Sequence, residues 1–229
     1  MQHSDNFSMP SHANTSITIR NKVLRSTYIL LAISLIPTVL GAILALNFNL
    51  FASMSPLAST LIFFVGAFGL MFLIEKNKHS AAGIGFLMLF TFFMGIMLSR
   101  ILGVIMSLGN GASIIALAFG STAIIFAVMA TIASTTKRDF SFLGKTLFIG
   151  VIVLILASLA NIFFQIPALS LAIATAGTII FSLFILFDVQ RIVNGGETNY
   201  ISATLSLYLN IYNIFVSLLQ IFGIVGGDD

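Results

Sequence analysis

The stretch Ser202–Val225 reads SATLSLYLNIYNIFVSLLQIFGIV. It carries no charge, and it is long enough to cross a hydrocarbon core of ~30 Å, which takes about 20 apolar helical residues. Its Ser, Asn and Gln residues are not scattered. Ser202, Ser206, Asn210, Asn213, Ser217 and Gln220 step by 4, 4, 3, 4 and 3. That spacing draws one stripe down one face of an α-helix, with Leu, Ile, Phe and Val between. A helix in lipid satisfies its own backbone, but a polar stripe must find partners or water. The stretch therefore predicts a membrane helix whose striped face looks into a bundle.

Six further runs fit the same length: about Tyr28–Leu46, Leu57–Ile74, Ala82–Leu108, Ala112–Ser134, Thr146–Phe164 and Ala168–Phe187. They are continuous and do not alternate, which favours helices over barrel strands. The breaks between them carry turn chemistry: Gly109-Asn110-Gly111, Gln165-Ile166-Pro167 and Asn194-Gly195-Gly196. The predicted fold is an all-α membrane protein, a seven-transmembrane-helix bundle. Residues 28–225 form that domain, between a flexible tail over 1–27 and a short acidic C-terminus over 226–229.

Composition excludes the main alternatives. The 229 residues are 59% hydrophobic and 7% charged, against about 25% charged in soluble domains. Seventeen charges, 10 basic and 7 acidic, cannot wet the surface of a soluble protein this size. The mean hydropathy of +1.12 agrees. Soluble enzymes, nucleic-acid binders and disordered regulators are excluded on this ground. The chain lacks cysteine, which removes disulfides, thiol nucleophiles and Cys-based metal sites. Its first apolar run is too long for a signal-peptide core, so no cleaved signal is expected.

The charges fix an orientation. Arg20, Lys22 and Arg25 precede the first span, and Lys76, Lys78, Lys137, Arg138, Lys145 and Arg191 lie in the second, fourth and sixth loops. Nine of ten basic residues thus fall on one side, which the positive-inside rule makes cytoplasmic. The N-terminus is expected inside and the C-terminus outside. The net charge of +3 then reflects topology, and no nucleic-acid partner is expected.

Polar residues inside the spans carry the remaining information. The stripe on the seventh span is either interhelical hydrogen-bonding glue or the wall of a hydrated path. Ser158, Asn161 and Gln165 repeat the pattern on the fifth span, with the seventh as their expected partner. Small pairs, Ala116/Gly120 and Ala172/Ala176, permit close helix crossings. Asp188 is the one acid read as lying in or at the edge of a span. Either Arg191, at i+3, pairs with it, or it faces Asn210 on the seventh span and closes the cytoplasmic end of the bundle. Protonation of Asp188 would weaken such a closure. Arg100, about 27 Å along the third span, belongs near the outer surface, snorkelling outward or lining a vestibule.

No catalytic constellation emerges. His3, His12 and His79 lie outside the spans, and a two-aspartate intramembrane protease lacks its second aspartate. No P-loop or dinucleotide fingerprint is present. A non-enzymatic protein without cofactor or metal is expected.

Several stretches carry a family resemblance. They are Gly195-Gly196-Glu197-Thr198-Asn199-Tyr200-Ile201, Leu205-Ser206-Leu207-Tyr208 and Tyr212-Asn213-Ile214-Phe215-Val216-Ser217-Leu218-Leu219. With them stand Ser141-Phe142-Leu143-Gly144, Ala160-Asn161-Ile162-Phe163 and Gly69-Leu70-Met71-Phe72-Leu73. From about Lys22 to Gly223 the chain resembles the bacterial YccA-like branch of the Bax inhibitor family. The resemblance implies a multi-pass inner-membrane protein that binds and modulates (inhibits) the membrane AAA protease FtsH. It also implies an alternative, the pH-sensitive calcium or cation leak of other family members, gated by two aspartates at the cytoplasmic ends of the sixth and seventh helices. Asp188 matches the first. Asn210 stands where the second is expected, so calcium attraction and titration should be weaker here. The expected partners are an FtsH-type protease complex, the lipid bilayer and, on the alternative, calcium. The candidate gate or polar-network residues are Asp188, Asn210, Asn213, Arg191 and Asn161.

Overall fold

A computed structural model describes residues 12–48, 50, 54–136 and 138–226. Seven helices follow one another: α1 (His12–Asn47), α2 (Pro56–Asn77), α3 (Ala81–Met106), α4 (Gly111–Thr135), α5 (Leu143–Phe164), α6 (Pro167–Val193) and α7 (Tyr200–Gly226). All seven are long and apolar enough to cross a membrane. Each predicted run lies on its own helix. The main difference is at α1, which begins at His12 although its apolar run begins at Tyr28. Hydropathy reports membrane crossing and not helix extent. Residues 12–27 contain neither Gly nor Pro, so nothing local ends the helix. Thr27 is fully buried and its carbonyl accepts from Thr204 Oγ1 at 3.3 Å, so this end of the expected tail packs into the bundle. Residues 1–11 of that tail, Lys137 and residues 227–229 of the acidic C-terminus lie outside the described residues.

Helix α7 is the axis of the bundle. It packs on α6, α4, α1 and α3 and touches α2. Leu207, Ile214 and Leu219 are fully buried on it, and Tyr208 nearly so. The Tyr208 hydroxyl lies 2.8 Å from Thr38 Oγ1 on α1, and Tyr212 donates to the Met94 carbonyl on α3 at 3.2 Å. These bonds tie the axis to two neighbours within the apolar core.

The most extensive pairing is α1 on α3. Two glycines permit it. A Cβ on Gly95 would overlap the Thr38 carbonyl oxygen, and one on Gly41 would overlap that of Phe92. The pairs singled out by spacing do not serve this purpose. Ala116 and Ala172 are exposed, and a Cβ on Gly120 would meet nothing. Fourfold spacing identifies a stripe of small residues but not the direction it faces.

Polar side chains fasten the ends. Asn199 caps α7, its Oδ1 accepting from the Ile201 and Ser202 N–H groups at 2.9 and 3.1 Å, while its Nδ2 donates to the Lys78 carbonyl at 2.8 Å. Gln190 on α6 clamps the α4–α5 loop: Oε1 accepts from Phe140 N at 2.7 Å and Nε2 donates to the Arg138 carbonyl. In that loop Asp139 Oδ1 accepts from Ser141 N at 2.8 Å, which holds its carboxyl below the usual aspartate range.

Two outcomes test this packing. Gly95→Val should lower stability by about 1–3 kcal/mol through overpacking, read as a melting shift in detergent, whereas Gly120→Ala should leave it unchanged or slightly raised. The Asp139 contact contributes while the carboxyl is ionised and is lost as pH falls through its lowered pKa. The melting difference between wild type and Asp139→Ala should therefore be present at neutral pH. It should close as the solution is acidified below the ordinary aspartate value of ~3.9.

Candidate functional site

The striped face of α7 is only partly covered by other helices: Ser202, Asn210 and Ser217 are buried, and Ser206, Asn213 and Gln220 are half-buried. Ser206, Asn210, Asn213, Ser217 and Gln220 open onto a cleft of about 1100 Å³. Helix α2 forms one wall, with Phe64 and Phe68, and α5 the other, with Leu154 and Ile155. Helices α3 and α6 complete the base beside α7. The stripe thus lines a cleft and also bonds to neighbouring helices at Ser202 and Asn210. Ser202, beyond the cleft, bonds across to α2: its Oγ lies 3.1 Å from each carboxylate oxygen of Glu75.

Glu75 is a second acid within a candidate span, Leu57–Asn77, where the sequence was expected to hold only Asp188. It directly follows Ile74, where the apolar run ends, and so reads as loop. It also pairs with Lys78 at 2.9 Å. The Ser202 step of the α7 stripe was the available signal for a polar partner at this level.

One end of the cleft carries Asp188, half-buried at the last turns of α6. Its Oδ2 accepts from Asn210 Nδ2 at 2.8 Å. Arg191 does not take the ion pair expected at i+3. It turns to Glu197, Nη2 to Oε2 at 2.6 Å. The reason is local: Gly195 adopts a left-handed φ of 78°, and Gly196 N returns to the Arg191 carbonyl at 2.8 Å, which brings Glu197 back over Arg191. Asp188 and Asn210 thus join α6 to α7 as one of the two expected arrangements required.

The other named residues act more locally. Asn213 donates to its own helix, at the Leu209 carbonyl 2.7 Å away. Asn161 fixes the α5–α6 turn, accepting from Ile166 N at 3.0 Å and donating to Ser170 Oγ at 2.6 Å. The expected pairing of the fifth-span stripe with the seventh is not formed. Among the described residues α5 packs on α6 alone, and Ser158 faces α7 across the cleft. Arg100 lies at the end of the cleft opposite Asp188, exposed, with Nη1 donating to Ser59 Oγ on α2.

Among the described residues no group of three His, Asp or Glu side chains stands close enough to hold a metal ion. The cleft offers shape, hydrogen bonding and one carboxylate. Replacing Asn210 by Leu leaves that half-buried carboxylate without its donor and should cost about 1–3 kcal/mol. Asp188→Asn keeps an amide pair and should cost less. Thermal unfolding of the two variants in detergent checks the order.

Comparison with known proteins places this geometry. A family model described as inhibitor of apoptosis-promoting Bax1 matches residues 20–227. The protein named "Modulator of FtsH protease YccA" of Escherichia coli K12 is 44% identical over 95% of this chain and 97% of its own length. A counterpart in Escherichia coli O6:H1, matching to the same extent, is named "Inner membrane protein YccA". A Vibrio cholerae protein named only "Uncharacterized membrane protein" is 40% identical over 91% of this chain and 92% of its own length.

Proposed function

The chain belongs to the family of inhibitors of apoptosis-promoting Bax1, and on that premise we propose that it is a non-enzymatic regulator that binds an FtsH-type membrane protease and inhibits it. It is a multi-pass inner-membrane protein. The observation that carries the functional reading is the 44% identity, nearly end to end, with a relative named as a modulator of that protease. The family match takes in all seven candidate spans, so likeness extends over the whole bundle and its cleft. A mostly apolar cleft with a floor row of Ser, Asn and Gln and a single carboxylate at one end suits recognition.

The orientation belongs to the same proposal. Arg20, Lys22, Arg25, Lys76, Lys78, Arg138, Lys145 and Arg191 gather at the end of the bundle that holds Asp188. With basic residues retained inside, that end faces the cytoplasm and the end of α7 faces the periplasm.

Tagged protein should co-purify with the protease from solubilised membranes, and excess protein should slow turnover of a membrane substrate of the protease. Unchanged turnover at high expression would overturn the proposal. A second reading, a pH-sensitive calcium or cation leak, draws on the Asp188–Asn210 contact at the inner end of the cleft. It requires calcium flux in reconstituted liposomes that changes with pH and with Asp188→Asn. Flux equal to that of empty vesicles at every pH removes it.

A further inference from the structure

The cleft has three sides. Helix α7 with its neighbours α3 and α6 forms the floor, and α2 and α5 form the two walls. Helix α2 packs on α3 and touches α7, while α5 packs on α6 alone. Among the described residues no contact joins α2 to α5. The fourth side therefore opens sideways, between two membrane-spanning helices.

The floor is built for hydrogen bonding and, beyond the Asn210–Asp188 contact, leaves most of it unused. Ser206, Ser217 and Gln220 make no side-chain hydrogen bond among the described residues, and neither does Ser158 on the α5 wall. Asn213 donates to its own helix and leaves its Oδ1 unused. From Ser206 to Gln220 the row is about 21 Å long at ~1.5 Å per residue, most of a hydrocarbon core of ~30 Å. Lipid chains supply neither donors nor acceptors, and polar groups left to them are costly. Ser, Thr, Asn and Gln on another membrane helix do supply them. The size agrees. A cleft of about 1100 Å³, open along one side, has room for one face of a helix and leaves its far side to lipid.

From this we infer that the cleft between α2 and α5 is a docking groove for one transmembrane helix of the partner protease, a helix that presents hydrogen-bonding side chains at three-and-four spacing to the α7 stripe. This rests on the protease-binding reading above and specifies where that binding occurs.

A photo-crosslinking residue in place of Phe64 or Ile155, on the two walls, tests it in membranes that contain the protease. Phe119 and Ile124, 62% and 66% exposed on α4 and remote from the cleft, serve as controls. Wall positions should yield an adduct with a protease subunit at least tenfold above the controls. The double variant Asn213→Leu, Gln220→Leu removes no bond to another helix, so its melting should stay unchanged while recovery of the protease falls at least tenfold. Should that variant fail to fold, the crosslinks in the otherwise unchanged chain decide. Equal adducts from α4, adducts with lipid alone from the wall positions, or full protease recovery by a folded double variant would overturn the groove and leave protease modulation standing. Wild-type protein that captures no protease would overturn both.

Discussion

A polar side chain in hydrocarbon must find a partner, and α7 carries six of them on one face. That constraint bears first on where α7 itself stands. A helix striped in this way cannot stand at the rim against lipid, so it takes the middle, where Tyr208 and Tyr212 bond outward to α1 and α3. Helices with less of this burden take the periphery. Helix α5 has only Leu147 fully buried along its length and turns an almost wholly apolar surface outward. Helix α2 does much the same.

The cleft follows from unequal packing around that axis. Gly41 and Gly95 let α1 and α3 approach with backbone against side-chain-free backbone. That close pair commits α3 to α1 on one side, and α2 joins it from the other. Opposite, α6 spans between α7 and α5. The two groups meet along α7 but not at their outer edges. A bulky residue at Gly95 would therefore act at a distance, since α2 reaches the axis mainly through α3. At the Asp188 end both flanks of the gap are tied to α7, Ser202 bonding to Glu75 on α2 and Asn210 to Asp188 on α6.

Much of this was legible in the chain. Seven spans could be read because crossing a bilayer takes a nearly invariant length of apolar residues. The striped face of α7 could be read because a helix fixes the angle between residues three and four apart. The Asp188–Asn210 contact stood among the two alternatives for the same reason, with Arg191 one turn away as rival. What failed was everything that depends on the angle between helices. Spacing showed that α5 has a polar row but not that it faces α7 across open space. It showed small residues on α4 and α6 but not that they point outward. Glu75 was missed because a hydropathy boundary assigned it to a loop, although the helix continues through Asn77.

The distribution of charge along the cleft bears on which of its possible occupants fits. A calcium ion takes 6–8 oxygen ligands, several of them carboxylates. Here one carboxylate stands at one end, already accepting from Asn210, and the row beyond it is uncharged. At the other end stands the guanidinium of Arg100. A cation moving along this floor would leave its only acid behind and approach a guanidinium. A second apolar helix meets no such obstacle. It places its own Ser, Thr, Asn or Gln opposite the uncharged row and its apolar flanks against Phe64 and Ile155. Its charged ends then lie near Arg100 and Asp188, at the levels where a membrane helix carries charge. The same Asn210 that weakens the cleft as a cation path keeps it neutral where a hydrocarbon-soluble partner would have to lie.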